Sequence, residues 1–182
     1  MKPSEACLLF IASYETNDGK PNLKAVPSPE QPGGALKYEI GWGHNSDNYF
    51  AVHKDSVITY EQALDLLKHD TLEAARLIDA FIKAQGLKFS QNEYDAMISA
   101  VYNGVPLYSK STGIYCALVA YCEAKESQDP RAICIAVTEV CKQWRRWVYM
   151  TVNGAKKKAQ GLITRREDEL DMFVRGNYER TR

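Results

Sequence analysis

Much is excluded by what this 182-residue chain lacks. No stretch approaches the roughly 18 consecutive apolar residues of a membrane-spanning helix, so no membrane span is expected. The opening Met1-Lys2-Pro3-Ser4-Glu5 has no apolar signal core, and the expectation is a protein made in the cytoplasm without a signal peptide. The five cysteines (Cys7, Cys116, Cys122, Cys134, Cys141) are odd in number and contain no CxxC pair. They are therefore expected to be reduced thiols on helix faces, not a disulfide framework. His44, His53 and His69 share no ligand spacing with the cysteines or with each other, so no metal is expected. No internal repeat, low-complexity tract or nucleic-acid motif occurs, and nucleic acid is not an expected partner.

The formal net charge is zero but unevenly spread. From Lys142 onward eleven Lys or Arg stand against five Asp or Glu, about +6, so the remainder carries about −6. The basic stretch includes Trp144-Arg145-Arg146-Trp147 and Lys156-Lys157-Lys158. It has two readings, a solvated helix face or a contact for a polyanion. Hydrophobic content of 45% and length together allow a soluble globular chain with a real core.

Glycine and proline are concentrated in one place. Pro21, Pro27, Pro29, Pro32 and the Gly33-Gly34 pair exclude a helix from residues 20–36. Before that stretch, Ser4 is a plausible N-cap and positions 7, 8, 11 and 14 give one apolar face, which predicts a helix over 4–15. Asn17-Asp18-Gly19 stops it. After the stretch, Tyr38-Glu39-Ile40-Gly41-Trp42 alternates and is the best strand in the chain. Its glycines suggest close approach of another surface.

Helices then dominate. Thr59 caps one that runs to about residue 83. Ser90-Gln91-Asn92-Glu93 is a capping box that opens a helix ending at Asn103-Gly104. Others are predicted at about 112–125, 130–144 and 161–175. The fold class is α+β, mostly α, with a small β excursion inserted after the first helix. The organisation expected is one domain over 1–182, with a hairpin lobe at about 16–58 and a helical lobe from 1–15 and 59–176.

Two acidic residues fall where chemistry is plausible. Glu15 closes the first helix and Glu39 lies on the strand. Glycoside hydrolysis uses two carboxyl groups across a saccharide groove, one of which holds its proton in a partly desolvated setting.

Four stretches in order resemble the phage-type lysozymes, the endolysins of glycoside hydrolase family 24. Lys24-Ala25-Val26-Pro27-Ser28-Pro29 is similar to the family's KAYPDP, and Tyr38-Glu39-Ile40-Gly41-Trp42-Gly43-His44 to its WTIGWGH. Ser90–Met97, continuing to Tyr102-Asn103-Gly104, is similar to TQNQFDAL…FNVG. Gln160–Glu169 with Phe173 is similar to PGLVRRRxAE…F. Together they cover about residues 8–176 and imply a lysozyme-like helical bundle with a β-hairpin lobe.

The resemblance also implies a Glu–Asp–Thr trio, and here the chain departs from the family. Glu15 matches the general acid, Ser28 falls in the Asp slot, and Glu39 falls in the Thr slot. The expected catalytic residues are Glu15 as acid and Glu39 as base or nucleophile, with Ser28 and Glu30 as rivals for an assisting role. Asn103 is the substrate-binding candidate, as a donor to an N-acetyl group. Trp42 is a candidate for stacking on sugar, whereas Trp144 and Trp147 are expected in the core and His44 in structural hydrogen bonds. The implied activity is a muramidase that cleaves the β-1,4 bond between N-acetylmuramic acid and N-acetylglucosamine in peptidoglycan, without a cofactor. It would act on the cell wall in the periplasm, after release as an endolysin or as a secreted antibacterial effector. An effector would need secretion machinery and an immunity protein as partners. The alternatives are a chitosanase-like glycosidase and a non-catalytic peptidoglycan-binding or structural module.

Overall fold

A computed structural model of the chain describes residues 1–16, 18–28, 37–152 and 154–181. It contains six helices: α1 (Glu5–Glu15), α2 (Tyr60–Gln85), α3 (Gln91–Tyr102), α4 (Gly113–Ser127), α5 (Pro130–Trp144) and α6 (Gln160–Arg175). Strands β1 (Asn22–Pro27), β2 (Tyr38–Gly41) and β3 (His44–Asn45) form one antiparallel sheet in that order. A separate hairpin pairs β4 (Tyr149–Val152) with β5 (Ala155–Lys158). The chain is α+β and mostly α. None of its described helices is long and apolar enough to cross a membrane.

The helix boundaries follow local chemistry. Ser4 Oγ accepts the Cys7 N–H at 3.1 Å, so the expected cap opens α1. Thr59 and Gln62 exchange side-chain-to-backbone hydrogen bonds at 2.8 and 3.2 Å at the start of α2. The Ser90 N–H donates to Glu93 Oε2 at 2.7 Å, which fixes the start of α3. Asp129 caps α5 with Pro130 in its first turn, and Gly176 in the left-handed region ends α6.

Two compact units make up the chain: Met1–Cys7 with Ala74–Arg182, and Leu8–Glu73. In the first, α3 is buried continuously from Glu93 to Val101, so it is the axis of that unit's core. Trp144 and Tyr121 each pack their rings 5.5 Å from Phe173. In the second unit, Phe10, Ile11, Ile40, Trp42, Val52, Ile58, Ala63, Leu66 and Leu67 are buried. Gly41 has φ +66°, and a Cβ there would lie 3.7 Å from the Ala63 backbone. This is the close approach that the strand's glycine content suggested. Glycine permits both the turn and the contact.

Strand β1 falls inside the expected hairpin lobe of about 16–58, whereas the β4–β5 hairpin lies outside it and was not expected. Strand β1 is irregular: Asn22 pairs with Gly41 but Val26 pairs with Glu39, so a bulge lies between them.

Candidate active site

Strand register decides which way Glu39 faces. Ile40 and His44 are cross-strand partners, and both are buried. Cross-strand partners share a face, and neighbours along a strand alternate. Glu39 therefore lies on the opposite face, beside its own partners Val26 and Asn45. It is half-buried there.

Glu15 is the last residue of α1 and is also half-buried. A negative charge at a helix C-terminus opposes the macrodipole, so the helix itself gives no reason for it. Thr16 Oγ1 beside it is buried and has no hydrogen-bond partner among the described residues.

A hydrogen bond joins the turn after Glu15 to the segment after Glu39. The Trp42 indole Nε1–H donates to the Gly19 carbonyl at 3.0 Å. Gly19 lies four residues past Glu15, and Trp42 three residues past Glu39. Trp42 is only 3% exposed, and its ring meets Tyr60 edge-on at 5.7 Å between centroids. This corrects the stacking expectation: the Trp42 faces are covered by protein, so the residue clamps the turn and cannot hold a sugar.

The other candidates are spread over both units. Ser28 is half-buried, and its N–H donates to the Lys37 carbonyl at 2.9 Å. Glu30 lies outside the described residues. Asn103, in the helical unit, ends α3, and its Oδ1 accepts from Arg166 Nη2 at 2.9 Å. That bond orients the amide and leaves Nδ2 as the donor end. Trp144 is fully buried and donates to Glu169 Oε2 at 3.0 Å, as core packing predicts, while Trp147 is half-buried.

His44 is structural, as expected. Its Nδ1 faces Asp70 Oδ1 at 2.8 Å and its Nε2 faces the Phe50 carbonyl at 3.3 Å. Burial alone would push its pKa down, but the Asp70 hydrogen bond and charge outweigh this and hold it above the ordinary histidine value. Around it, His44, Asp47 and Asp70 offer ligand atoms within 4.8 Å of one another, a grouping that linear spacing hid.

A family model, "Phage lysozyme", matches residues 23–169. The chain belongs to the phage lysozyme family, a family of glycoside hydrolases. The endolysin of Bacillus phage B103 is 30% identical over 177 residues, covering 97% of this chain and 55% of that protein. The endolysin of Acyrthosiphon pisum secondary endosymbiont phage 1 is 28% identical, covering 95% of this chain and 98% of that protein. The chain thus spans about half the length of the first relative and nearly all of the second. Among solved structures, the endolysin from Escherichia coli O157:H7 phage FAHEc1 superposes with a TM-score of 0.73 at 24% identity. That match covers 98% of this chain and 97% of that one. The muramidase domain of SpmX from Asticaccaulis excentricus gives a TM-score of 0.68 at 23% identity, covering 95% and 97%. At these identities the structural likeness speaks for the fold. Glu15 precedes the range matched by the family model; Glu39 and Asn103 lie inside it.

Proposed function

We propose that this chain is a peptidoglycan hydrolase, a muramidase that cleaves the β-1,4 N-acetylmuramic acid–N-acetylglucosamine bond. The reading rests on its membership of the phage lysozyme family. The observation that supports the named residues is the Trp42–Gly19 bond, which ties the segment after Glu15 to the segment after Glu39. Glu15 is the general acid, donating a proton to the leaving glycosidic oxygen as the bond breaks. Glu39, on the strand face away from Ile40 and His44, is the second carboxylate. It either activates a water or attacks the anomeric carbon, in both cases opposite a transition state with positive charge on the sugar ring. Asn103 contributes the Nδ2 donor to an N-acetyl carbonyl. The relatives are named endolysins, which favours release onto the cell wall at lysis.

The test is release of new reducing ends from purified peptidoglycan by wild type, Glu15→Gln and Glu39→Gln. Removing a general acid lowers the rate by roughly 10²–10⁴-fold, and Glu15→Gln is expected in that range. Glu39→Gln is expected to be similarly impaired. Near-native turnover by Glu39→Gln would refute the second carboxylate and leave a different assisting group for Glu15. Muramic acid at the new reducing ends identifies a muramidase. Glucosamine ends, or products from purified chitosan alone, would identify a different glycosidase. Binding to peptidoglycan without new ends would mean a non-catalytic module.

A further inference from the structure

We propose that the β4–β5 hairpin is a peripheral membrane-docking element whose lysine strand takes the headgroups of an anionic phospholipid surface. The hairpin has no part in the hydrolysis above. Between Glu139 and Glu167 the chain carries eight Lys or Arg and no Asp or Glu. Packing neutralises half of them. Lys142 Nζ lies 3.2 Å from Glu139, and Arg145 Nε lies 2.7 Å from Glu167. Arg165 and Arg166 are buried against Glu169. Arg146 donates to the Gln143 side-chain carbonyl at 2.9 Å. Lys156, Lys157 and Lys158 lie on β5 and have no carboxylate partner among the described residues.

Strand pairing fixes how these three charges are presented. Tyr149 pairs with Lys158, Met150 with Lys157 and Thr151 with Lys156. Tyr149, Thr151, Lys156 and Lys158 therefore share one face, and Met150 and Lys157 share the other. A hairpin that belongs to a core buries one of its faces. Here Tyr149, Met150, Thr151 and all four residues of β5 are exposed. The base is anchored: Val148 is buried, and the Ala159 N–H donates to its carbonyl at 2.9 Å.

Ammonium groups alone would suit any dissolved polyanion. Their neighbours favour a lipid surface. Tyr149 is 51% exposed and Met150 50%, an apolar strand left open beside a cationic one. Lys158 Nζ lies 5.8 Å from the centre of the Tyr149 ring, so aromatic ring and charge are offered together. A phenol and a thioether beside lysines match the boundary between headgroups and acyl chains. The ring, the thioether and the lysine stems enter its apolar side, while the ammonium groups stay at the phosphates. The chain's net charge is zero, so attraction to an anionic surface comes from a local patch and not from the molecule as a whole.

The full chain is sedimented with phosphatidylcholine vesicles, with and without about one third phosphatidylglycerol, at low and high salt. Each lysine at an anionic surface adds about fivefold in partitioning, so three predict a preference of roughly 100-fold for the anionic vesicles, fading with salt. The triple change Lys156→Gln, Lys157→Gln and Lys158→Gln should abolish that preference. Tyr149→Ser with Met150→Ser should weaken vesicle binding about fivefold while leaving any binding to duplex DNA, a dissolved polyanion, unchanged. Lys54→Gln, Lys83→Gln and Lys110→Gln together make the same charge change at exposed positions elsewhere and should keep most of the preference. No preference by wild type, an equal loss in this second triple variant, or vesicle binding indifferent to Tyr149 and Met150 would overturn the proposal. The preference itself is read on wild type, so a misfolded variant cannot mask the answer.

Discussion

The two units keep their charges in opposite ways. In the helical unit, Glu169 is fully buried and saturated with donors. It accepts from Ser99 Oγ at 2.8 Å, Trp144 Nε1 at 3.0 Å, Arg165 Nε at 3.2 Å and Arg166 Nη2 at 2.9 Å. In the unit Leu8–Glu73, Glu15 and Glu39 are only half-buried, one at a helix C-terminus and one on the sheet face away from Ile40 and His44. A carboxylate locked by four donors inside a core can hold helices together but cannot move a proton to a substrate. A half-buried one keeps part of its surface open to a substrate. The contrast is one of burial: Glu169 is sealed in a core, whereas Glu15 and Glu39 keep part of their surface open.

The sharpest way to break that distinction is Glu169→Gln. It removes the negative charge facing two buried guanidinium groups, Arg165 at 3% and Arg166 at 1% exposure. Removing one partner of a buried ion cluster costs up to about 3–5 kcal/mol. The expected result is a loss of that size in urea unfolding, larger than the loss at the half-buried Glu15→Gln or Glu39→Gln. A small loss at Glu169 would mean that the cluster is solvated and the division false.

A smaller effect is expected at Glu93, another strongly held acid of the helical unit. It accepts from Tyr121 Oη at 2.6 Å, Lys125 Nζ at 2.7 Å and the Ser90 N–H at 2.7 Å. Burial raises its pKa, but the Lys125 and Tyr121 hydrogen bonds outweigh that, and the net shift is downward from 4.5. A folded value below the unfolded one means stability that is present above about pH 4.5 and lost as pH falls through the folded value. Glu93→Gln should cost about 1–3 kcal/mol near pH 7. The gap to wild type should narrow in thermal melts as pH drops below about 4.5. A gap that does not change with pH would show that Glu93 acts through shape alone.

How much of this was legible in the sequence divides along the same line. All six helices were, because caps such as Ser4, Thr59 and Ser90 and a 3.6-residue apolar period are local signals. The resemblance flagged Arg165-Arg166-Glu167-Asp168-Glu169 as a motif, but only packing shows that Glu169 is its centre. The strands were harder. Strand β1 carries Lys24 and Pro27 and is paired through a bulge, so its burial follows no simple alternation. The described residues of β5 are exposed on both faces, which erases the period-two pattern. Asn153-Gly154 between β4 and β5 was a usable hairpin signal that went unread. In the candidate site, Glu15 and Glu39 were visible as acids in a familiar order. The role of Trp42 was not, because an aromatic beside glycines on a strand has the same sequence appearance whether it meets sugar or protein. Nor was the grouping of His44, Asp47 and Asp70, because 26 residues separate His44 from Asp70.

The smallest and most discriminating expected effect concerns Trp42, which joins structure to reaction within one unit. Trp42→Phe keeps an aromatic ring against Tyr60 but removes the N–H that holds the Gly19 carbonyl. One lost hydrogen bond costs about 0.5–1.5 kcal/mol, so the variant should be fully folded at assay temperature. Positioning is more sensitive, since a displacement of about 1 Å in a reacting group can cost around 100-fold in rate. A fall in kcat of about tenfold, with KM little changed, is therefore expected on purified peptidoglycan. If kcat holds while stability falls, the bond is only a brace for the turn.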